Sequence, residues 1–152
     1  MNKKVVIVIM CLITLFVVGC SNNEETTGKI VLESKYYGDS KLIEIDSDLF
    51  KKISNENYIL YIYNNYCNLE VPCENIFKDY MDKYKISFLS MPFEEFKNTK
   101  FYKTIKYAPS VIIVRNGDIV SYLKSDSDED LDKYQDVDEF SKWINSYIST
   151  TK

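Results

Sequence analysis

An α/β domain built on one mixed β-sheet, with helices on both faces, is the fold class this sequence predicts, and three observations predict it. Tyr58 to Tyr63, YILYIY, is a continuous apolar and aromatic run, which suits a central strand covered on both faces. Apolar runs of strand length alternate with segments of helical spacing, an order that crosses helices between parallel strands. Asn116-Gly117 stands between two apolar runs, the strongest short signal for an antiparallel hairpin. Parallel pairing early and antiparallel pairing late make the sheet mixed.

The elements follow in order. Lys29 to Glu33, KIVLE, is expected to form a short strand, and Tyr36 to Ser40, with Gly38 and Asp39, a turn. Lys41 to Ile45, KLIEI, alternates as a strand does. Asp46-Ser47-Asp48 supplies capping residues for a short helix through about Ile53, with Leu49, Phe50 and Ile53 facing inward. After the central strand, Glu74 to Lys85 carries Ile76, Phe77, Tyr80, Met81 and Tyr84 on one helical face. Ile86 to Met91 reads as a strand ended by Pro92. Phe93 to Tyr107 is charged and helical in parts, and Pro109 closes it. Ser110 to Arg115 and Asp118 to Lys124 flank the hairpin turn. Val137, Phe140, Ile144, Tyr147 and Ile148 make the apolar stripe of a last helix. No internal repeat and no second domain are visible.

The N-terminus bears on compartment. Met1-Asn2-Lys3-Lys4 is short and basic, and Val5 to Gly19 is an uncharged run of 15 residues. That is the length of a signal-peptide apolar core, and shorter than the roughly 20 residues of a membrane span. The run ends in Val17-Val18-Gly19-Cys20, with Val17 where leucine is most usual. Residues 1 to 20 resemble the bacterial lipoprotein signal, which implies cleavage before Cys20 and a lipid on that cysteine. An uncleaved N-terminal anchor is the alternative. The expected organisation is therefore a signal peptide over 1–19, the lipidated cysteine and a polar tether over 20–28, and one domain over 29–152. The expected location is the cell membrane, lipid-anchored and facing the extracytoplasmic side. Cleavage leaves 133 residues with 17 basic and 23 acidic side chains, a net of −6. An acidic chain has no electrostatic reason to seek nucleic acid or anionic headgroups.

Of the four cysteines, Cys11 leaves with the signal and Cys20 carries lipid. Cys67 and Cys73 remain as an isolated pair, outside the cytoplasm where disulfides persist. Structural zinc needs four ligands, and two thiols with no histidine do not supply them.

From about Lys41 to Ile148 the chain resembles the thioredoxin family. The residues that carry the resemblance are the strand Tyr58 to Tyr63, then Tyr66-Cys67 and Pro72-Cys73. To these add Ala108-Pro109-Ser110 opening a strand, Asn116-Gly117, and Trp143-Ile144 in the last helix. The resemblance implies a thioredoxin-like fold, a cis Ala108–Pro109 peptide beside the cysteines, and thiol–disulfide exchange without a cofactor. Cys67 would attack and Cys73 resolve, and Tyr66, Pro72, Ala108 and Pro109 would shape the substrate groove. The implied partners are protein thiols or disulfides of the cell envelope, with a further partner to reset the pair.

The chain departs from the family in two ways. Five residues, Asn68 to Pro72, separate the cysteines where the family has two. The family also keeps a buried carboxylate six residues before its first cysteine, and here that position is Tyr61. Within one helix, six residues advance about 9 Å and turn about 600°, whereas a disulfide needs α-carbons within roughly 7 Å. Cys67 therefore belongs to the loop and Cys73 to the helix start, with Pro72 suited to the first helical position. The helix N-terminus favours a thiolate, while Glu70 and Glu74 oppose one. Two readings stay open. One is a membrane-tethered oxidoreductase using the CX5C pair. The other is a non-catalytic lipoprotein that binds an envelope or export partner, with Cys67–Cys73 as a staple worth a few kcal/mol at most.

Two further features read as structural. In Ser125 to Lys133, Asp126, Asp128 and Asp130 have the alternate spacing of a calcium loop. Leu131 and Val137, however, stand where glycine and a bidentate glutamate are needed. A solvated acidic loop, open to a partner, is the expectation. Of the 13 tyrosines, Tyr58, Tyr61, Tyr63, Tyr80 and Tyr84 are expected in the core, while for Tyr36, Tyr37 and Tyr102 the sequence leaves core and surface both open.

Overall fold

The computed structural model describes residues 28–64 and 72–152. The signal peptide, Cys20 and the tether up to residue 27 lie outside the described residues, as do Tyr66, Cys67 and Glu70. Among the described residues the sheet has five strands: β1 (Leu42–Glu44), β2 (Tyr58–Tyr63), β3 (Phe88–Pro92), β4 (Ser110–Arg115) and β5 (Asp118–Tyr122). Their order across the sheet is β1-β3-β2-β4-β5. β3 runs parallel to β1 and β2, while β4 runs antiparallel to β2 and β5. The mixed sheet is therefore the one expected.

Strand β2 lies at the centre. Leu60 is in register with Leu89 on one side and Ile112 on the other. Every residue from Tyr58 to Ile62 is buried, so the unbroken apolar run reflects cover on both faces. Helices α1 (Ser47–Lys52), α2 (Cys73–Tyr84), α3 (Phe93–Phe96), α4 (Leu131–Gln135) and α5 (Val137–Tyr147) provide it. On one face Phe77 of α2 meets Tyr61 at 5.0 Å and Phe140 of α5 at 4.9 Å. Phe88 of β3 completes that cluster with Tyr80 and Phe140. On the other face Phe50 of α1 packs edge-on at 5.1 Å against Phe101 of the 3-10 turn Lys100–Lys103. No helix among the described residues is long and apolar enough to cross a membrane.

Local chemistry sets the element ends. The Asp46 carboxylate accepts from the amides of Asp48 and Leu49 and opens α1. Asp136 does the same for α5 through Asp138 and Glu139, at 2.7 and 3.0 Å. Lys85, at φ 52°, ends α2 in the left-handed region. Asn116 and Gly117 both have positive φ, 50° and 76°, as a two-residue type I′ hairpin requires. A Cβ on Gly117 would lie 1.6 Å from the carbonyl oxygen of Ser54. The hairpin tip is docked there by bonds from Gly117 N to the Glu56 carbonyl and from Asn116 N to the Asn57 side chain.

Several expectations are corrected. Lys29 to Glu33 is not a strand: Ile30 makes one parallel bridge to Ile148, and a 3-10 turn begins at Ser34. Its partner is the short segment after α5, too brief for a ladder. Leu49 is 39 % exposed rather than inward, because it lies about 100° round the helix from Phe50, while Ile53, three residues on, is buried. The three tyrosines left open by the sequence are also placed. Tyr36 is buried, its hydroxyl donating to Glu56 at 3.0 Å. Tyr37 is half-buried, donating to the Ser149 carbonyl and accepting from Leu32 N. Tyr102 packs against Phe93 and Phe96. The acidic stretch is not a wholly solvated loop. It contains the 3-10 turn Asp128–Asp130 and then α4, whose Tyr134 is buried. Asp130 accepts from Lys124 N and pairs with Lys133 at 2.7 Å, so it pins the chain.

Gly117→Ala combines positive φ with a backbone clash and should cost at least about 2 kcal/mol, read as a lower urea midpoint. The Asp136 carboxyl is held below the ordinary carboxylate range by the amides of Glu139 and Asp138. A depressed folded pKa gives stability that is present above the unfolded value, about 3.9, and is lost as pH falls through the folded value. Asp136→Ala should therefore destabilise at neutral pH, and its deficit should narrow as pH falls below about 4 in urea titrations at each pH.

Candidate functional site

The chemistry-bearing residues gather where β2 ends, α2 begins and the chain turns into β4. Cys73 is the first residue of α2 and is buried, 1 % exposed. Pro72 precedes the helix as its cap residue, exposed, at φ −56°. The first helical position, expected for Pro72, thus belongs to Cys73. The proline ring still has the φ that launches a helix, one residue earlier than the spacing alone implied.

Ala108 and Pro109 are joined by a cis peptide, as expected, and are half-buried. Both carbonyls of this turn are engaged. Asn64, just past β2, donates its side-chain amide to the Ala108 carbonyl at 3.1 Å. Tyr134 of α4 donates its hydroxyl to the Pro109 carbonyl at 2.9 Å. Ser110, buried at the start of β4, donates to the Leu123 carbonyl at 2.8 Å. The turn is held from β2, from α4 and from the chain just beyond β5.

Tyr61 occupies the position where the family resemblance leads one to look for a carboxylate. Its hydroxyl lies 3.9 Å from the Cys73 sulfur, and either atom can donate. Tyr134 is a second phenol of the same aromatic cluster. Burial, then the charge of Cys73, push its ionisation upward. Both rings lie against Phe77, at 5.0 and 6.1 Å. Glu74, which follows Cys73, is paired with Lys78 one turn on, which blunts its repulsion of a neighbouring anion. Burial disfavours a Cys73 thiolate, and the start of a twelve-residue helix favours one.

Two clefts flank the site. One, of about 200 Å³, is walled by Leu42, Glu44, Tyr61, Tyr63, Glu74 and Ser90. Tyr63 donates to Glu44 at 3.3 Å, and burial followed by the Glu44 charge raises its ionisation. The other, of about 260 Å³, runs beside the cis turn and includes Lys106, Tyr107, Lys124 and Asp126. Tyr107 is 58 % exposed there.

Solved structures similar to this arrangement are thioredoxins. The chain matches thioredoxin NaTrxh from Nicotiana alata at 15 % identity and a TM-score of 0.51, over 74 % of this chain and 96 % of that one. It matches the long form of thioredoxin f from spinach chloroplast at 17 % identity and a TM-score of 0.50, over 70 % and 86 %. The chain has the thioredoxin-like fold. No protein-family model matches it, and no curated protein matches it in sequence.

Within the thioredoxin-like fold, Cys73 meets Tyr61 of β2, and the Ala108–Pro109 turn opens β4, the neighbour of β2. Asn64, Tyr61 and Tyr134 are added as partners. Counting six residues back from Cys67 signalled that Tyr61 mattered, but as a missing carboxylate rather than as a contact to sulfur. Nothing local marked Tyr134, which sits in an acidic stretch and reaches the cis turn only through tertiary packing.

Tyr134→Phe keeps the ring but leaves the Pro109 carbonyl without its donor. It should cost about 1–2 kcal/mol and loosen the cis turn, seen as a lower unfolding midpoint and faster amide exchange at Ser110.

Proposed function

We propose that this protein is a thiol–disulfide oxidoreductase, tethered to the outer side of a bacterial cell membrane through lipid on Cys20, that acts on protein thiols or disulfides with Cys67 and Cys73. The observation that carries the reading is the position of Cys73. It opens the helix that follows the central strand of a thioredoxin-like sheet, with Tyr61 of that strand at its sulfur, and the neighbouring strand β4 begins at the cis Ala108–Pro109 turn. The acidic charge of the mature chain and the 15-residue apolar leader support the compartment and argue against nucleic acid.

In the reducing direction the Cys67 thiolate attacks a substrate disulfide. One substrate sulfur leaves with the electron pair, takes a proton from water, and a mixed disulfide remains. Cys73 then loses its proton and attacks the Cys67 sulfur. The second substrate sulfur leaves as thiolate, the substrate gains two electrons, and the cysteine pair becomes a disulfide. The same steps reversed oxidise a substrate dithiol. No cofactor is needed. Tyr66, Pro72, Ala108 and Pro109 are the residues proposed to shape the substrate groove.

A second reading has support of its own. The deep burial of Cys73 and the tyrosine at position 61 suit a disulfide that staples loop to helix in a non-catalytic lipoprotein with an envelope or export partner. The reduction potential of the pair separates the two, by alkylation trapping across thiol buffers. The oxidoreductase predicts a value well above about −300 mV. A lower value, or a pair reduced only on unfolding, makes it a staple. Cys67→Ser should abolish exchange with a model disulfide, and retained activity would sink the mechanism.

A further inference from the structure

The resolving step requires Cys73, a residue 1 % exposed, to gain and lose a proton at its sulfur. A buried thiol cannot hand its proton to bulk water directly, and the carboxylate that the family resemblance implies is replaced by Tyr61. Tyr61 meets two conditions at once. Its hydroxyl is 3.9 Å from the Cys73 sulfur, in a contact where either atom can donate. Its side chain also walls the 200 Å³ cleft that holds Glu44 and Glu74. Tyr134, the other phenol packed on Phe77, donates its hydroxyl to the Pro109 carbonyl.

We infer that the Tyr61 hydroxyl relays the proton of Cys73 between the buried sulfur and the Glu44–Glu74 cleft. The inference rests on the proposed exchange reaction and names the group that serves its second step. As Cys73 attacks, its proton passes to the phenolic oxygen while the phenol's own proton passes to cleft water. Tyr61 therefore stays neutral throughout, which avoids forming a buried phenolate. In the reverse direction, Cys73 leaves as a thiolate and recovers a proton by the same path. Glu44 and Glu74 are the acceptors that face the cleft, with Tyr63 and Lys78 as their partners.

The relay separates the two halves of the reaction, because only Cys73 depends on it. The test uses the full chain with Cys11 and Cys20 replaced by serine, so that only the pair reacts. With the reduced protein and 5,5′-dithiobis(2-nitrobenzoate), the first thionitrobenzoate released reports attack by Cys67. The second reports resolution by Cys73. Tyr61→Phe should leave the first phase and the melting temperature unchanged and slow the second phase at least about tenfold. Tyr61→Asp, which places a carboxylate at the sulfur, should restore the second phase where it folds. Equal second phases in the native chain and Tyr61→Phe overturn the relay and leave the oxidoreductase intact. A native chain that never releases the second thionitrobenzoate overturns both.

Discussion

Burial of strand β2 on both faces is the constraint on which the rest of this structure depends. Each large side chain from Tyr58 to Ile62 contributes on the order of 1.5–3 kcal/mol by leaving water, but only if helices cover both sides of the sheet. That requirement places α2 and α5 on one face, where Phe77, Tyr80 and Phe140 meet Tyr61 and Phe88. It places α1 and the Phe101 turn on the other. The chain leaving the end of β2 must turn back over the sheet into α2, and Cys73 lies at that return.

The same burial decides the chemistry available there. A carboxylate in place of Tyr61 would be an ion in an aromatic cluster, which is costly unless paired. A phenol fills that space with its ring and still offers a polar hydroxyl to the sulfur. Tyr58, Tyr80 and Tyr134 are treated alike: burial pushes the ionisation of all three upward, which keeps them neutral. Tyr80 donates to Asn145 at 2.7 Å and Tyr134 to Pro109. A tyrosine-rich core thus supplies hydrogen bonds without introducing charge.

How much of this was legible depends on the range of the interaction. β2, the Asn116-Gly117 turn and the Asp46 cap follow from neighbours within a few residues, and sequence pattern reports such neighbours directly. Leu49 was misread because a helix of six residues has too few turns to define a face. Tyr36 and Tyr37 stayed undecided because irregular segments carry no period. Their hydroxyls find Glu56 and Ser149, 20 and 112 residues away.

The sequence by itself determined a mixed α/β sheet with parallel pairing early and antiparallel pairing late, and a helix start near Cys73, while its resemblance to the thioredoxin family implied the finer class and the cis bond at Pro109. The sheet and the helix start rest on period, on turn residues and on the stiffness of proline, all local properties. Only the tertiary structure decided that Tyr61 touches the sulfur of Cys73, that Tyr134 and Asn64 hold the cis turn, and that an acidic stretch delivers a tyrosine to the core. Those contacts join residues 12 to 44 positions apart. They exist because the sheet, once covered on both faces, leaves one place for the returning chain.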